Sequence, residues 1–489
     1  MIASLSLNLD PNIDALYLRI ANALRCAIQL GQLKPGEKLP SARKLALQLQ
    51  TNRHTVMAAY QELIAQSWVE SVERKGYKVA HLLPIETSRN LKLDFDKNEK
   101  QFQWQIKALS INNPPQKLAH EYQYNFAGGM PDIDLFPFKE FKSYMGESLS
   151  RPDIEQLCYG NNRGTEHFIE QVATYLRRVR SIKDKEIIAV NGSQEALFIV
   201  SQLLLKPGDN IAVESLGYRP AWQAFRSAGA NILAIERNDQ GIDFKKLTLL
   251  FESSSLKFIY LTPLHQYPTT VTIPVHERMK LYALAAKHNV AIIEDDYDHE
   301  FHYTSQPLAP IASDDPLGLV IYLATFSKIM FPGCRIGVMA VDKALLPAIL
   351  NFRTLMNHKP NVVIQDAIAR WMRGGAFERH VRKMSKLYHQ RRDNLIELLS
   401  KYKQRGLDVD YHLPAGGMAL WLDIKGYAEE LEHYCQQHNV YLLSEKHFHL
   451  QANNNENRFI RIGFAGLSEE KLAEGLAIVF DYLIKKQRQ

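Results

Sequence analysis

"LVIYLATFSKIMFPGCRIG", residues 319–337, sets the reading of the chain. The hydrophobic run from Leu319 to Ala324 has no polar alternation, which predicts a strand buried on both faces. It ends in Thr325, Ser327 and Lys328, and a Pro-Gly pair and Arg335 follow. Ligands of open α/β sheets bind beyond the carboxyl ends of the strands. A lysine, two hydroxyls and an arginine at such an end therefore mark a candidate site.

Six more runs of this kind lie between residues 186 and 341: "EIIAV", "NIAVE", "NILAI", "KFIYLT", "VAIIED" and "RIGVMAV". Helical segments separate them. The alternation predicts a mainly parallel, doubly wound sheet, followed by a smaller C-terminal α+β subdomain. Gly192, Ser193 and Gln194 follow the first run and open a helix, whose N–H groups can cradle an anion. Tyr218 follows the second, Asp295 ends the fifth, and Tyr297 follows it. Alone, Asp295 reads equally as a metal ligand or a solvated loop acid, Lys328 as a surface lysine and Tyr218 as packing. Together they supply what pyridoxal 5′-phosphate needs: an amine for its aldehyde, a carboxylate for its ring nitrogen, an anion cradle and an aromatic cover.

The first eighty residues have a different texture. "DPNIDALYLRIANALRCAIQLGQL" predicts a helix opened by Asp10 and Pro11, with Leu16, Ile20, Leu24 and Ile28 on one face. "LPSARKLALQLQ" predicts a second helix capped by Ser41. "TNRHTVMAAYQELIAQ" predicts a third, capped near Thr51, with Val56, Tyr60, Leu63 and Ile64 facing inward. "WVESVERKGYKVA" alternates around Lys75-Gly76 and predicts a hairpin. Three helices and a hairpin make a winged helix-turn-helix. Arg53, His54 and Thr55 then stand at the end of the helix that enters a major groove, with Arg43 beside them and Lys75 and Gly76 at the wing tip. Periodicity alone leaves open a three-helix module whose basic residues are merely solvated.

Two resemblances bear on these alternatives. "GQLKPGEKLPSARKLALQLQTNRHTVMAAYQELIAQSWVE", residues 31–70, resembles the GntR family of bacterial regulators, and favours DNA binding. Ser67 departs from it, standing where that family has glycine. Residues 122–489 resemble a fold-type I, class I aminotransferase through "FAGGMPDIDLFP", "NGSQEALFIVSQLLLKPGDNIAVESLGY", "EDDYD", "TFSKIMFPGCRIG" and "RFIRIGF". That resemblance implies a Schiff base on Lys328, with Asp295 on the pyridine nitrogen and Tyr297 on the ring hydroxyl. Ser193, Gln194, Thr325, Ser327 and Arg335 would hold the phosphate, Tyr218 would stack, and Arg461 would bind an effector carboxylate. "YPTT", residues 267–270, departs from the usual "NPTG": Tyr267 replaces an asparagine at the cofactor, which argues against efficient transamination. Leu216 and Ala419 replace a usual proline and histidine and would reshape the effector pocket.

The two halves in this order resemble the MocR/GabR subfamily of GntR regulators. The resemblance implies a DNA-binding regulator that senses PLP or a small amine, working as a head-to-tail homodimer. An aminotransferase with an accessory DNA-binding module remains the alternative. The expected domains are 1–80, a linker over 81–121, and 122–489, the last with a large part near 165–350 and a small one near 351–489.

Composition agrees. Residues 1–80 hold ten Lys and Arg against six Asp and Glu, most of the chain's net +6, a basic bias that suits nucleic acid. The cysteines Cys26, Cys158, Cys334 and Cys435 form no CxxC pair, which predicts neither a zinc site nor a disulfide framework. No leader pattern and no membrane-length apolar run is present, so a cytoplasmic protein is expected.

Overall fold

The computed structural model describes residues 15–72, 76–84, 121–150, 154–158, 160–238, 241–303, 308–451 and 457–489, with Leu9 and Ile13. The chain divides into two compact units, Met1–Lys107 and Ala108–Gln489.

In the first unit, α1 (Leu16–Gln29), α2 (Ala42–Gln48) and α3 (Arg53–Ala65) precede a hairpin of β1 (Val69–Val72) and β2 (Gly76–Val79). Ile20, Leu24 and Ile28 are buried against Val56, Tyr60 and Leu63, as their spacing predicts. Leu16 and Ile64 are the exceptions: Leu16 is exposed and Ile64 is half-buried. The first helix starts later than expected, after Ala15, whose extended backbone offers its carbonyl to the N–H of Leu18 and Arg19. Asp10 and Pro11 lie outside the described residues. Ser41 caps α2 as expected, and α3 is capped next to Thr51 by Asn52, which accepts from the N–H of His54 at 2.9 Å. The strand-like stretch before α2 joins the hairpin through Val79 N–H to Glu37 O and Leu39 N–H to Tyr77 O. Ser67 takes φ +62, a left-handed conformation that explains why glycine suits this turn.

In the second unit, all seven apolar runs are strands of one sheet: β3 (Glu186–Val190), β4 (Asn210–Glu214), β5 (Asn231–Ile235), β6 (Leu256–Leu261), β7 (Ala291–Asp295), β8 (Val320–Thr325) and β9 (Gly337–Val341). Their order is β3-β9-β8-β7-β6-β4-β5. Ile187 and Ala189 pack into one hydrophobic core and Ile188 and Val190 into another, so both faces of the sheet are covered. β9 alone runs antiparallel to its neighbours. It follows β8 after two short 3-10 turns, too short a connection for the helical crossover that a parallel strand requires.

A smaller sheet holds β10 (Asp410–Tyr411), β11 (Ala419–Asp423), β12 (Leu443–Ser444) and β13 (Phe459–Gly463) in the order β10-β11-β13-β12. The helices Ala376–Gln404 and Glu469–Gln487 cover it through Leu395, Leu399, Leu476, Phe480 and Leu483. The cores do not follow chain order. Tyr124 and Phe126 belong to the small core, where Tyr124–Asn125 pairs with Val440–Tyr441, and Ala367, Ile368 and Trp371 belong to the large one. Among the described residues, no helix is long and apolar enough to cross a membrane.

Candidate functional site

Sheet register brings the candidate residues together. Gly337 stands between Thr325 of β8 and Val190 of β3, so the start of β9 lies beside the ends of both. The turns that leave β3 and β8 and the turn that enters β9 therefore meet at one edge. They line a cavity of about 340 Å³ that contains Ser193, Gln194, Tyr218, Tyr267, Asp295, Tyr297, Thr325, Ser327, Lys328, Arg335 and Arg461.

Lys328 Nζ donates to the carbonyl of Gly129 at 2.6 Å. Burial, joined by the nearby Arg461 cation, pushes its ammonium down to about 8. The amine is thus partly neutral, and nucleophilic, near physiological pH. Gly129 (φ +73) and Gly128 (φ +83) require the conformations that glycine tolerates. A Cβ on Gly128 would lie 1.8 Å from Arg461 Nη1. Val440–Tyr441 and the small sheet hold this segment: Phe126 N–H donates to Tyr441 O at 2.7 Å, and Gly463 N–H of β13 donates to Phe126 O at 2.9 Å.

Asp295 is buried at the end of β7. Its Oδ2 accepts from Tyr260 Oη at 2.8 Å, while Oδ1 has no hydrogen-bond partner among the described residues. Burial raises its carboxyl to about 7. A carboxylate with one satisfied and one orphaned oxygen, facing a cavity, suits a cationic N–H donor such as a pyridinium. Tyr297 donates to the carbonyl of His265 at 3.1 Å.

The anion cradle is built on the helix Ser193–Leu204. Its N-cap, Gly192, has φ +81, and a Cβ there would meet the Arg335 guanidinium at 2.9 Å. Arg335 Nη2 donates to Asn191 O at 2.8 Å, which ties the guanidinium to the helix entry. Thr325 Oγ1 lies 3.0 Å from Ser327 Oγ and accepts from the Ser327 N–H. Gln194 is anchored by Nε2 to Pro220 O at 3.0 Å, and its buried Oε1 has no partner among the described residues.

Aromatic rings close the other wall. Tyr267 packs edge-on against Tyr218 (5.8 Å between centroids) and Phe448 (5.5 Å), and the Arg461 guanidinium lies 4.7 Å from the Tyr267 ring centroid. Arg461 Nη1 donates to Ala127 O at 3.1 Å, and its Nε has no partner among the described residues. Thr270, at the end of "YPTT", holds φ +64.

In the first unit, Arg53 and His54 are exposed on the first turn of α3, Thr55 is half-buried beside them, and Arg43 is exposed on α2. Gly76 (φ +96) opens β2 with free space where a Cβ would stand. Lys75 lies outside the described residues, as do 85–120 of the expected linker.

Sequence reading missed Gly128, Gly129 and Tyr260 as site residues. Tyr260 sits inside an apolar run and reads as core. The paired glycines of "FAGGMP" were the one available signal for the others. The cavity's amine, half-satisfied buried carboxyl, helix N-terminus, hydroxyls and guanidinium fit pyridoxal 5′-phosphate.

Comparison with known proteins gives the same picture. Residues 153–479 match the family "Aminotransferase class I and II", and residues 16–79 match "Bacterial regulatory proteins, gntR family". The chain is 28% identical over 484 residues to the probable rhizopine catabolism regulatory protein MocR of Rhizobium meliloti, covering 96% of this chain and 94% of that protein. It is 26% identical over 473 residues to the HTH-type transcriptional regulator TauR of Rhodobacter capsulatus, covering 95% of each. Kynurenine aminotransferase of Pyrococcus horikoshii, solved in complex with PMP, superposes with a TM-score of 0.69 at 28% identity, covering 76% of this chain and 92% of that one.

Proposed function

We propose that this chain, which belongs to the class I and II aminotransferase family and carries a gntR-family unit ahead of it, is a pyridoxal 5′-phosphate-dependent, DNA-binding transcriptional regulator. The observation that carries the reading is the single cavity that unites Lys328, the half-satisfied Asp295 and an anion cradle in a chain that also holds a helix-turn-helix. When bound, the cofactor supplies an aldehyde open to amines and a ring that withdraws electrons. Lys328 Nζ attaches it, and Asp295 Oδ1 keeps the ring nitrogen protonated. Ser193, Gln194, Thr325, Ser327, Arg335 and the Gly192 turn bind the phosphate. Tyr218, Tyr267 and Tyr297 bound the ring. Arg461 receives the carboxylate of an amino-acid effector, and its cation over the Tyr267 ring supports that role, since a guanidinium held by a ring face keeps N–H groups free for an anion.

In the DNA-binding unit, Arg53, His54 and Thr55 read base edges from the start of α3, Arg43 contacts the backbone, and the Lys75-Gly76 wing approaches the adjacent groove. The regulator acts in the cytoplasm as a head-to-tail homodimer and responds to PLP itself or to a small amine. Such a response requires the effector to favour one of two states of the protein.

The second reading, an aminotransferase with an accessory DNA-binding module, is favoured by the pairing of Lys328 with Asp295 in one cavity. Tyr267 in place of asparagine speaks against it. One experiment separates them. PLP-loaded protein is mixed with a panel of amines plus 2-oxoglutarate or pyruvate, and cofactor absorbance, keto-acid product and DNA affinity are followed. The regulator reading expects an absorbance change matched by a change in DNA affinity. Sustained turnover at about 1 s⁻¹ or faster with unchanged DNA affinity would overturn it.

A further inference from the structure

A second cavity in the aminotransferase-like unit, of about 790 Å³, shares no lining residue with the first. It lies between the end of the helix Glu166–Arg180, the start of the helix Ala376–Gln404 and the segment after β7. Its two ends differ in charge.

The inner end is acidic. The Glu300 side chain is 2% exposed, with Oε1 3.0 Å from His299 Nε2 and Oε2 without a hydrogen-bond partner among the described residues. Arg180, the inner cation, is committed to Asp296 at 2.5 Å. His299 Nδ1 lies 3.1 Å from the Asp296 carbonyl, an arrangement that puts the ring proton on Nδ1. Nε2 then turns a lone pair, not a proton, to Glu300. Glu300 therefore keeps its proton, which burial holds well above the ordinary carboxylate range, and Oε1–H can donate to Nε2, while Oε2 has no hydrogen-bond partner among the described residues. The outer end is basic: Arg373, Arg379 and Arg382 are exposed along it. Arg178 is already paired with Glu378.

We propose that this cavity binds a zwitterionic amino compound, its ammonium inward on Glu300 and its acidic group outward on Arg379 and Arg382. An ammonium beside Glu300 lets the carboxyl ionise and gives Oε2 the donor it lacks, and guanidinium groups bind carboxylate, sulfonate or phosphonate with paired N–H bonds. A simple anion would leave the Glu300 carboxyl without a cation, and a simple cation would face the arginines. A molecule with both groups satisfies both ends. The site shares no lining residue with the Lys328 cavity; only the reduced form used in the test rests on the cofactor role proposed for Lys328, and a failure to load PLP shows separately as absent cofactor absorbance.

The test uses full-length, PLP-loaded protein reduced with borohydride, so that the cofactor stays fixed and amines no longer exchange at Lys328. Glycine, 4-aminobutyrate and taurine are titrated calorimetrically, with acetate and methylamine as single-charge comparisons. At least one zwitterion should bind, and neither single-charge compound should match it. Glu300→Gln, and separately Arg379→Ala with Arg382→Ala, should each weaken binding about tenfold or more, with the absorbance of the fixed cofactor unchanged. If Glu300→Gln fails to fold, the arginine pair, being exposed, carries the test alone. No zwitterion binding up to about 10 mM, equal binding of acetate, or binding that survives the arginine substitutions would overturn the proposal.

Discussion

Replacing Asp295 with asparagine separates what this carboxyl costs the cofactor-free protein from what it contributes to holding the cofactor. Burial raises the group from an ordinary 3.8 to about 7. Below about pH 4 it is protonated in both folded and unfolded chains and costs nothing. As pH rises toward 7 the unfolded chain releases the proton and the folded one keeps it, so stability falls. Above 7 the folded chain carries a buried carboxylate whose Oδ1 has no partner among the described residues, and the loss is complete. At about 1.4 kcal/mol per pH unit, the full penalty is on the order of 4 kcal/mol. Cofactor-free Asp295→Asn should therefore be more stable than the parent at pH 8, by up to about that amount, with the difference shrinking toward pH 4. Comparing the two proteins cancels other buried acids that titrate near neutrality, Glu214 and Glu294 among them. Urea unfolding of both cofactor-free proteins at several pH values measures the difference, and PLP titration should show the opposite sign, weaker binding by the variant. A variant less stable at pH 8, or a difference that does not change with pH, would refute the reasoning.

Three further outcomes are expected. Ser67→Gly relieves the left-handed serine and stabilises the DNA-binding unit by about 0.5–1 kcal/mol; slower hydrogen exchange of α3 amides in the full-length protein checks it. Arg53→Ala weakens binding to the chain's operator by about 1–3 kcal/mol if the guanidinium reads a base, and fluorescence anisotropy at two salt concentrations measures both the loss and the salt slope. Gly128→Ala drives a methyl group into Arg461; the variant should keep PLP but lose its absorbance response to carboxylate-bearing amines, and an unaltered dose-response would remove Arg461 from the effector site.

Much of this architecture is legible in the sequence because burial on both faces leaves an uninterrupted apolar run, and the seven runs are the seven strands. The residues at their ends, Gly192 to Gln194, Asp295 and Thr325 to Lys328, follow from the geometry of such sheets. Long-range contacts are less legible. Nothing local to Gly129 says that its carbonyl receives the Lys328 ammonium, 199 positions away in the chain. Tyr260 reads as core because its ring is in the core, and only the position of Asp295 on the next strand gives its hydroxyl a role. The antiparallel run of β9 depends on connection length, which hydrophobic pattern does not encode. At the first helix, Asp10-Pro11 is a good start signal, yet the helix begins at Leu16, and its apolar stripe is buried only from Ile20, against Val56, Tyr60 and Leu63.

The central claim is that the cofactor cavity governs DNA binding. Its most direct test is a fluorescence anisotropy titration of one duplex from the chain's own upstream region with cofactor-free protein, PLP-loaded protein, and PLP-loaded protein plus each responsive amine. A coupling of 1 kcal/mol or more predicts affinities that differ by about fivefold or more between at least two of these forms. Equal affinity in all of them, or no binding to the duplex at low salt, would contradict the account.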